Sequence, residues 1–256
     1  MANGQWLIAE NMANLIIDEG NTLCKIAVVD TNEVLCEYSS LEFDMAKSAE
    51  IIDMFGVELA IVASTRNDAH SICEQLRSKL SRVLHFNSMV DVPIEVEYAT
   101  RQTLGADRIA AAVGVICGMG IKSALLVDLG SAITFDIVEN GAFKGGNISP
   151  GVAMRFRALS EYTASLPLCE ATEPNNKFGQ TTKEAIEQGV MQGILHEIEG
   201  YIERISEKNG KKSVIFCGGD AKYFVNRIKN TIFAGRKLMF TGLNLILEHN
   251  VSKGLI

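Results

Sequence analysis

Residues 14–29 read NLIIDEGNTLCKIAVV, and residues 123–138 read SALLVDLGSAITFDIV. Both follow one pattern: an apolar run ending on an aspartate (Asp18, Asp128), one residue, a glycine (Gly20, Gly130), a small polar residue, and a second apolar run. Short apolar runs rich in Val and Ile around a Gly-Asn turn read as the two strands of a β-hairpin. Asp18 and Asp128 stand 110 positions apart. Solenoid repeats have periods of about 20–50 residues, so this recurrence implies two copies of one domain instead.

Working outward, a third strand is expected at residues 33–38, a helix at 46–55, a buried strand at 57–63, an amphipathic helix at 67–80 and a strand at 82–86. A helix spans 104–120, entered through Gly105-Ala106-Asp107. After the second copy, Asn140-Gly141 is a hairpin signal leading to a strand at 142–144. Residues 145–151 read as a loop into a helix, with Ser149 as cap and Pro150 at the first helical position. A surface loop at 166–180 and a long helix at 182–207 follow. A strand at 212–217 then stops at Gly218-Gly219, with helices at 221–229 and 241–249. Strands alternating with helices place the chain in the α/β class. The expected division is an N-terminal domain over 1–115 and a C-terminal one over 116–256.

The composition narrows the function. Hydrophobic residues make up 47% and charged residues 21% of 256, which excludes wholesale disorder. The net charge is −7, whereas a nucleic-acid binder carries a basic excess. Six scattered cysteines form no C-x-x-C pair, so neither a zinc site nor a disulfide framework is expected, and free thiols fit a reduced, cytoplasmic setting. Residues 1–10 lack the basic-then-apolar order of a signal peptide. The longest apolar run, near 109–121, falls short of the roughly 20 residues that span a bilayer, so no membrane partner is expected.

Two sites can carry chemistry. In each Asp-x-Gly turn, successive backbone N–H groups can form an anion-binding nest, with hydroxyl or amide donors from Asn21, Thr22 and Ser131. Two such turns facing each other would grip a nucleotide's phosphates, with Lys25 supplying positive charge and Asp18 or Asp128 anchoring a cation. Each is otherwise a plain hairpin turn with a structural aspartate. The second site is Gly105-Ala106-Asp107-Arg108. Asp107 is either a helix cap or a general base beside an arginine that binds an anionic substrate, with Tyr98 and Arg101 just upstream. Neither the P-loop pattern nor G-x-G-x-x-G is present, and Ser149 is one position off a nucleophile elbow.

These residues carry a resemblance. The D-x-G-N-T…K run at 18–25, G-x-D-R at 105–108 and D-x-G-[ST]-A…T-x-D at 128–136 come in the order found in type III pantothenate kinases. So do the segments at 145–151, 163–167 and 182–186 leading to Gly189. That family belongs to the acetate kinase/sugar kinase/Hsp70/actin superfamily. The resemblance covers most of the chain from about Asn14 and implies two duplicated ribonuclease-H-like domains, the actin-like ATPase fold, with ATP in the cleft between them. It implies transfer of phosphoryl from ATP, with Mg²⁺ and a monovalent cation (K⁺ or NH₄⁺), to the primary hydroxyl of pantothenate, the first step towards coenzyme A.

By position, the resemblance makes Asp18, Glu19, Gly20, Asn21, Thr22, Leu23, Cys24 and Lys25 the first phosphate loop and Ser131, where threonine is usual, the second ATP contact. Asp107 is the proton acceptor. Tyr98, Gly105, Ala106, Asp107 and Arg108 contact pantothenate. Asp128 binds the monovalent cation. Thr182 adds a substrate contact across the interface of a homodimer. A non-catalytic ATP-binding regulator and a phosphatase on the same fold are the alternatives.

Overall fold

The computed structural model describes residues 13–31, 33–66, 68–175, 177–209, 213–229 and 231–256. The expectations for residues 1–10, Asn67 and Lys212 lie outside them.

The first copy builds β1 (Asn14–Glu19), β2 (Cys24–Asp30), β3 (Glu33–Ser40), α1 (Met45–Phe55), β4 (Leu59–Ser64), α2 (Ala69–Arg77) and β5 (Arg82–Phe86). Its sheet has the order β3-β2-β1-β4-β5. β1 runs antiparallel to β2 and β2 to β3, while β1–β4 and β4–β5 are parallel. Next come β6 (Glu95–Val96), α3 (Ala106–Val113), β7 (Ala124–Leu129), β8 (Ala132–Glu139), β9 (Ala142–Pro150), α4 (Val152–Glu161), α5 (Thr182–Asn209), β10 (Ser213–Cys217), β11 (Thr231–Phe233) and α6 (Lys237–Ser252). The second sheet has the order β11-β10-β7-β8-β9-β6. β7–β8 and β8–β9 are antiparallel, and β7–β10 and β10–β11 parallel. The five strands of the first sheet and the strands β9-β8-β7-β10-β11 of the second repeat one topology, as the doubled sequence pattern requires, with β6 added at the edge of the second.

Strand alternation sorts the faces. In β1, Leu15 and Ile17 pack with α1 and α2, while Ile16 faces α3 and α6. In β7, Leu125 and Val127 pack with α4 and α5, while Ala124 and Leu126 face α3 and the start of α6. The molecule is thus layered: outer helices, a sheet, a central helix pair, the second sheet, outer helices. The central pair is tight. A Cβ at Gly242 of α6 would lie 1.9 Å from the Ala110 carbonyl oxygen of α3.

Two elements lie apart from their chain neighbours. β6 pairs with β9 in the second sheet, before α3 begins. α6, the last helix, packs beneath β1, β2 and β4 of the first. There its Asn244 accepts from the Asn14 amide at 2.8 Å.

Three local expectations are corrected. Residues 145–150 continue β9 and are not a loop, and α4 starts at Val152 with Gly151, not Ser149, at its cap. Residues 221–229 form a 3₁₀ turn over Gly219–Tyr223 and further turns, not an α-helix. The helix expected at 104–120 is α-helical only to Val113 and continues as a wider π-type turn over Gly114–Gly118.

Candidate active site

The same alternation that sorts the core also aims the acids. Asp18 shares the inner face of β1 with Ile16, and Asp128 shares the inner face of β7 with Leu126. Both turns therefore open towards the N-terminus of α3. At the cleft mouth the two copies meet: Thr22 Oγ1 and Ser131 Oγ are 2.8 Å apart. Lys25, opposite Asp18 in the hairpin register, donates from Nζ to Asp18 Oδ2 at 2.7 Å. Asp18 is buried and Lys25 half-buried.

Asp107 stands in the first turn of α3, with the helix N-terminus beneath it. Its Oδ1 accepts from the Arg108 backbone N–H at 2.9 Å. A Cβ on residue 105 would lie 2.4 Å from that oxygen, so the glycine of G-x-D-R leaves room for the carboxylate to fold back. Burial raises the Asp107 pKa, opposed by the Arg108 N–H and reinforced by the charge of Asp18. Burial also pushes Asp128 up to about 7, helped by Asp107, Asp18 and Asp136 and resisted by Lys25. Gly218, with φ of +88°, backs directly onto Asp128: a Cβ there would come within 2.4 Å of Asp128 Oδ1. This is why β10 is followed by a glycine at position 218.

The remaining expected residues fall into four groups. Arg108 and Tyr98 lie together beside Asp107, the guanidinium carbon 5.9 Å from the Tyr98 ring centre. Glu19 and Cys24 point to the other face of the first sheet. Glu19 accepts from Ser64 Oγ at 2.5 Å, and the buried Cys24 thiol is pushed up to about 12 by desolvation and then by Glu19 and Asp18. Residues Glu19 and Cys24 can thus meet a nucleotide only through their backbone. Leu23 uses its carbonyl to close the turn, accepting from Gly20 N–H at 3.0 Å. Thr182 is exposed at the start of α5, on the opposite side of the second sheet from α3. Its neighbour Thr181 is the helix cap, accepting from Glu184 N–H at 3.2 Å.

Two residues carry roles that the sequence reading did not assign. Asp136 holds Arg108 in a buried ion pair. Its signal was an acid at an inward position of an otherwise apolar strand. Arg66, just past the end of β4, ties the first turn down by donating to the Asn21 carbonyl at 3.0 Å and the Leu41 carbonyl at 2.8 Å. It follows the C-terminal end of a parallel strand, where α/β folds gather ligand sites.

A cation fits this donor set. Four carboxylates within mutual electrostatic reach face two basic side chains, Lys25 and Arg108, and every acidic donor is oxygen. Among the described residues no group of three acidic, His or Cys side chains is placed to cage a metal. The oxygen chemistry of the carboxylates matches Mg²⁺, which takes one or two carboxylates plus substrate phosphates.

Two ribonuclease-H-like sheets whose Asp-x-Gly turns meet across a cleft, with an acid at the facing helix end, define a phosphotransferase of the actin-like class. Solved structures share this fold. A solved structure from Listeria monocytogenes named for N-acetylmannosamine kinase shares the fold at TM-score 0.57 and 13% identity, over 93% of this chain and 100% of that one. One from Campylobacter jejuni, named for a Baf family of transcriptional activators, matches at TM-score 0.60 and 25% identity over 93% and 99%. The chain belongs to the type III pantothenate kinase family: the model of that family matches residues 14–204. A type III pantothenate kinase of Azobacteroides pseudotrichonymphae is 38% identical over 234 residues, 91% of this chain and 95% of its own.

Proposed function

We propose that the chain transfers the γ-phosphoryl group of ATP to the primary hydroxyl of pantothenate, giving 4′-phosphopantothenate for coenzyme A synthesis. The observation that carries this reading is the 2.8 Å meeting of Thr22 and Ser131, which sets the two phosphate turns edge to edge beside Asp107.

The turn over residues 18–25 and Ser131 cradle the phosphates through backbone N–H groups, hydroxyls and the Lys25 ammonium. Mg²⁺ carried with the nucleotide and a monovalent cation at Asp128 supply the positive charge that an acidic chain lacks. Tyr98, the Gly105–Arg108 segment and the Arg108 guanidinium hold the acceptor. Asp107 orients its hydroxyl and takes the proton as the bond to phosphorus forms. The transition state of phosphoryl transfer is loose, so positioning and charge stabilisation dominate. Burial moves Asp107 upward from the usual aspartate range, towards a better match with an alcohol. We place the lobe division at 115/116, with β6 and α6 crossing it.

Thr182 serves the acceptor pocket of a second copy in a homodimer. Support comes from Phe178 and Tyr162, 94% and 86% exposed near the start of α5 and at the end of α4, large apolar side chains that a partner would cover. Equilibrium sedimentation giving a monomer would remove this part of the reading. The partners required are small molecules and a second copy, and the free thiols suit the cytoplasm.

Measuring ADP release with and without pantothenate tests the activity. Release that depends on pantothenate supports it. Release without acceptor identifies a hydrolase, and ATP binding with no release identifies a regulator. Calorimetric titration tests the nucleotide site. Lys25→Ala should weaken ATP binding about tenfold or more, the range of a lost charge-assisted contact, with pantothenate affinity little changed. Asp128→Asn should abolish the gain in ATP affinity that K⁺ gives the wild type. Unchanged ATP affinity in the first variant, or a K⁺ response kept in the second, removes the corresponding assignment.

A further inference from the structure

We propose that Asp136 is a positioning residue for the acceptor, clamping one edge of the Arg108 guanidinium so that the other edge is presented to the substrate. The inference rests on the reading of residues 105–108 as the acceptor site. Arg108 Nε donates to Asp136 Oδ1 at 2.9 Å and to Oδ2 at 3.2 Å, and Nη2 donates to Oδ1 as well. Nη1 is the nitrogen not engaged with the carboxylate. Thr134 Oγ1, two residues back on the same face of β8, donates to Oδ2 at 3.1 Å and fixes the carboxylate in turn. The guanidinium carbon lies 5.9 Å from the ring centre of Tyr98 and 5.7 Å from that of Phe143, so the rings limit tilting. Both partners are deeply buried, Asp136 at 1% exposure and Arg108 at 6%.

This arrangement uses the geometry of arginine. A planar fork bound along one edge has its opposite edge fixed in direction, which a lysine ammonium would not. Arg108 also follows Asp107 directly, and its backbone N–H holds the Asp107 carboxylate. One residue therefore links the acid–base group to the acceptor's polar atoms. Both oxygens of Asp136 are taken up by Arg108 and Thr134. Its effect passes through Arg108, as a supporting residue acts through the one in contact.

Steady-state kinetics with both substrates varied provide the test. Asp136→Asn keeps the side-chain size and removes the charge. It should raise the KM for pantothenate about tenfold or more while the KM for ATP stays within about threefold. Asp136→Glu, which restores the charge, should recover part of the loss. In an Arg108→Lys background, Asp136→Asn should add little, because the two act as one unit. Equal rises in both KM values, or a fall in kcat with both unchanged, would mean a structural role only and overturn the proposal. So would full additivity with Arg108→Lys. If Asp136→Asn does not fold, Thr134→Val decides: a two- to threefold rise confined to pantothenate supports the proposal, and no rise overturns it. Wild-type protein without pantothenate-dependent ADP release would overturn the underlying reading instead, and that is seen before any variant is compared.

Discussion

Asp107→Asn will lower turnover by about 10²–10⁴-fold, the range of a lost general base, with ATP affinity nearly unchanged. The amide matches the carboxylate in size and can still accept from the Arg108 N–H, so the turn at the start of α3 is kept. What it cannot do is take a proton. The proposed nucleotide turns lie on β1–β2 and β7–β8, and the hydrogen bonds that hold them come from Gly20, Leu23, Thr22, Ser131 and Lys25, not from this side chain, which is why binding should survive. The pH profile gives a second readout. As the proposed base, Asp107 would have to be ionised to act, so wild-type turnover should fall as pH drops through its pKa. Burial raises that pKa, placing the acidic limb above the ordinary aspartate value of 3.8. The variant should lack this limb. Stability runs the other way. The folded state holds the proton more tightly than the unfolded chain, so stability is lost as pH rises through the raised pKa. At neutral pH Asp107→Asn should therefore melt no lower than the wild type. Turnover near wild type in the kinase assay would remove the base assignment.

Gly242→Val is expected to be the most damaging single change to stability. α3 and α6 cross where residue 242 has no side chain, and a Cβ would sit 1.9 Å from the Ala110 carbonyl oxygen. Both helices are held between two sheets, so neither can retreat without opening a core. Overpacking of this kind costs about 3 kcal/mol at the upper end of its usual range, against a total stability of about 5–15 kcal/mol. For a chain of this size, that corresponds to a fall in Tm of about 6–12 °C. Gly242→Ala should fall in the same direction by less. A thermal melt within about two degrees of wild type for the valine variant would show that the central pair is looser than described.

Where the sequence was legible, the signal was local. The two hairpins, the Asn140-Gly141 turn and the buried strands follow from apolar runs and turn residues near in sequence. Asn140 and Gly141 do take positive φ, 54° and 78°. The rest of β9 was hidden by its glycines and Pro150, which read as loop. Beyond Phe143 the edge of β9 facing β6 is unpaired, and an edge tolerates both residue types. Residues 221–229 carry helical spacing, and Ala221, Phe224, Val225 and Ile228 do reach the core. Successive turns satisfy that spacing, as in the Phe224 N–H to Ala221 carbonyl bond at 3.0 Å. β6 and β11, of two and three residues, are too short to leave a pattern. In the site, Asp18, Asp107 and Asp128 stood out because each ends a strand or opens a helix. The Arg108–Asp136 pair spans 28 positions and exists only once β8 lies against α3.

The crossing of β6 and α6 bears on how such a cleft can open. Each half of the chain lends a structural piece to the other, so neither is self-sufficient, and a rotation about a simple linker would tear a strand from its sheet or a helix from its bed. Any movement between the halves is therefore expected to be a small shear of packed elements, not a hinge rotation about a linker. The glycine-to-carbonyl crossing of α3 and α6 is the tightest contact that such a shear would have to preserve.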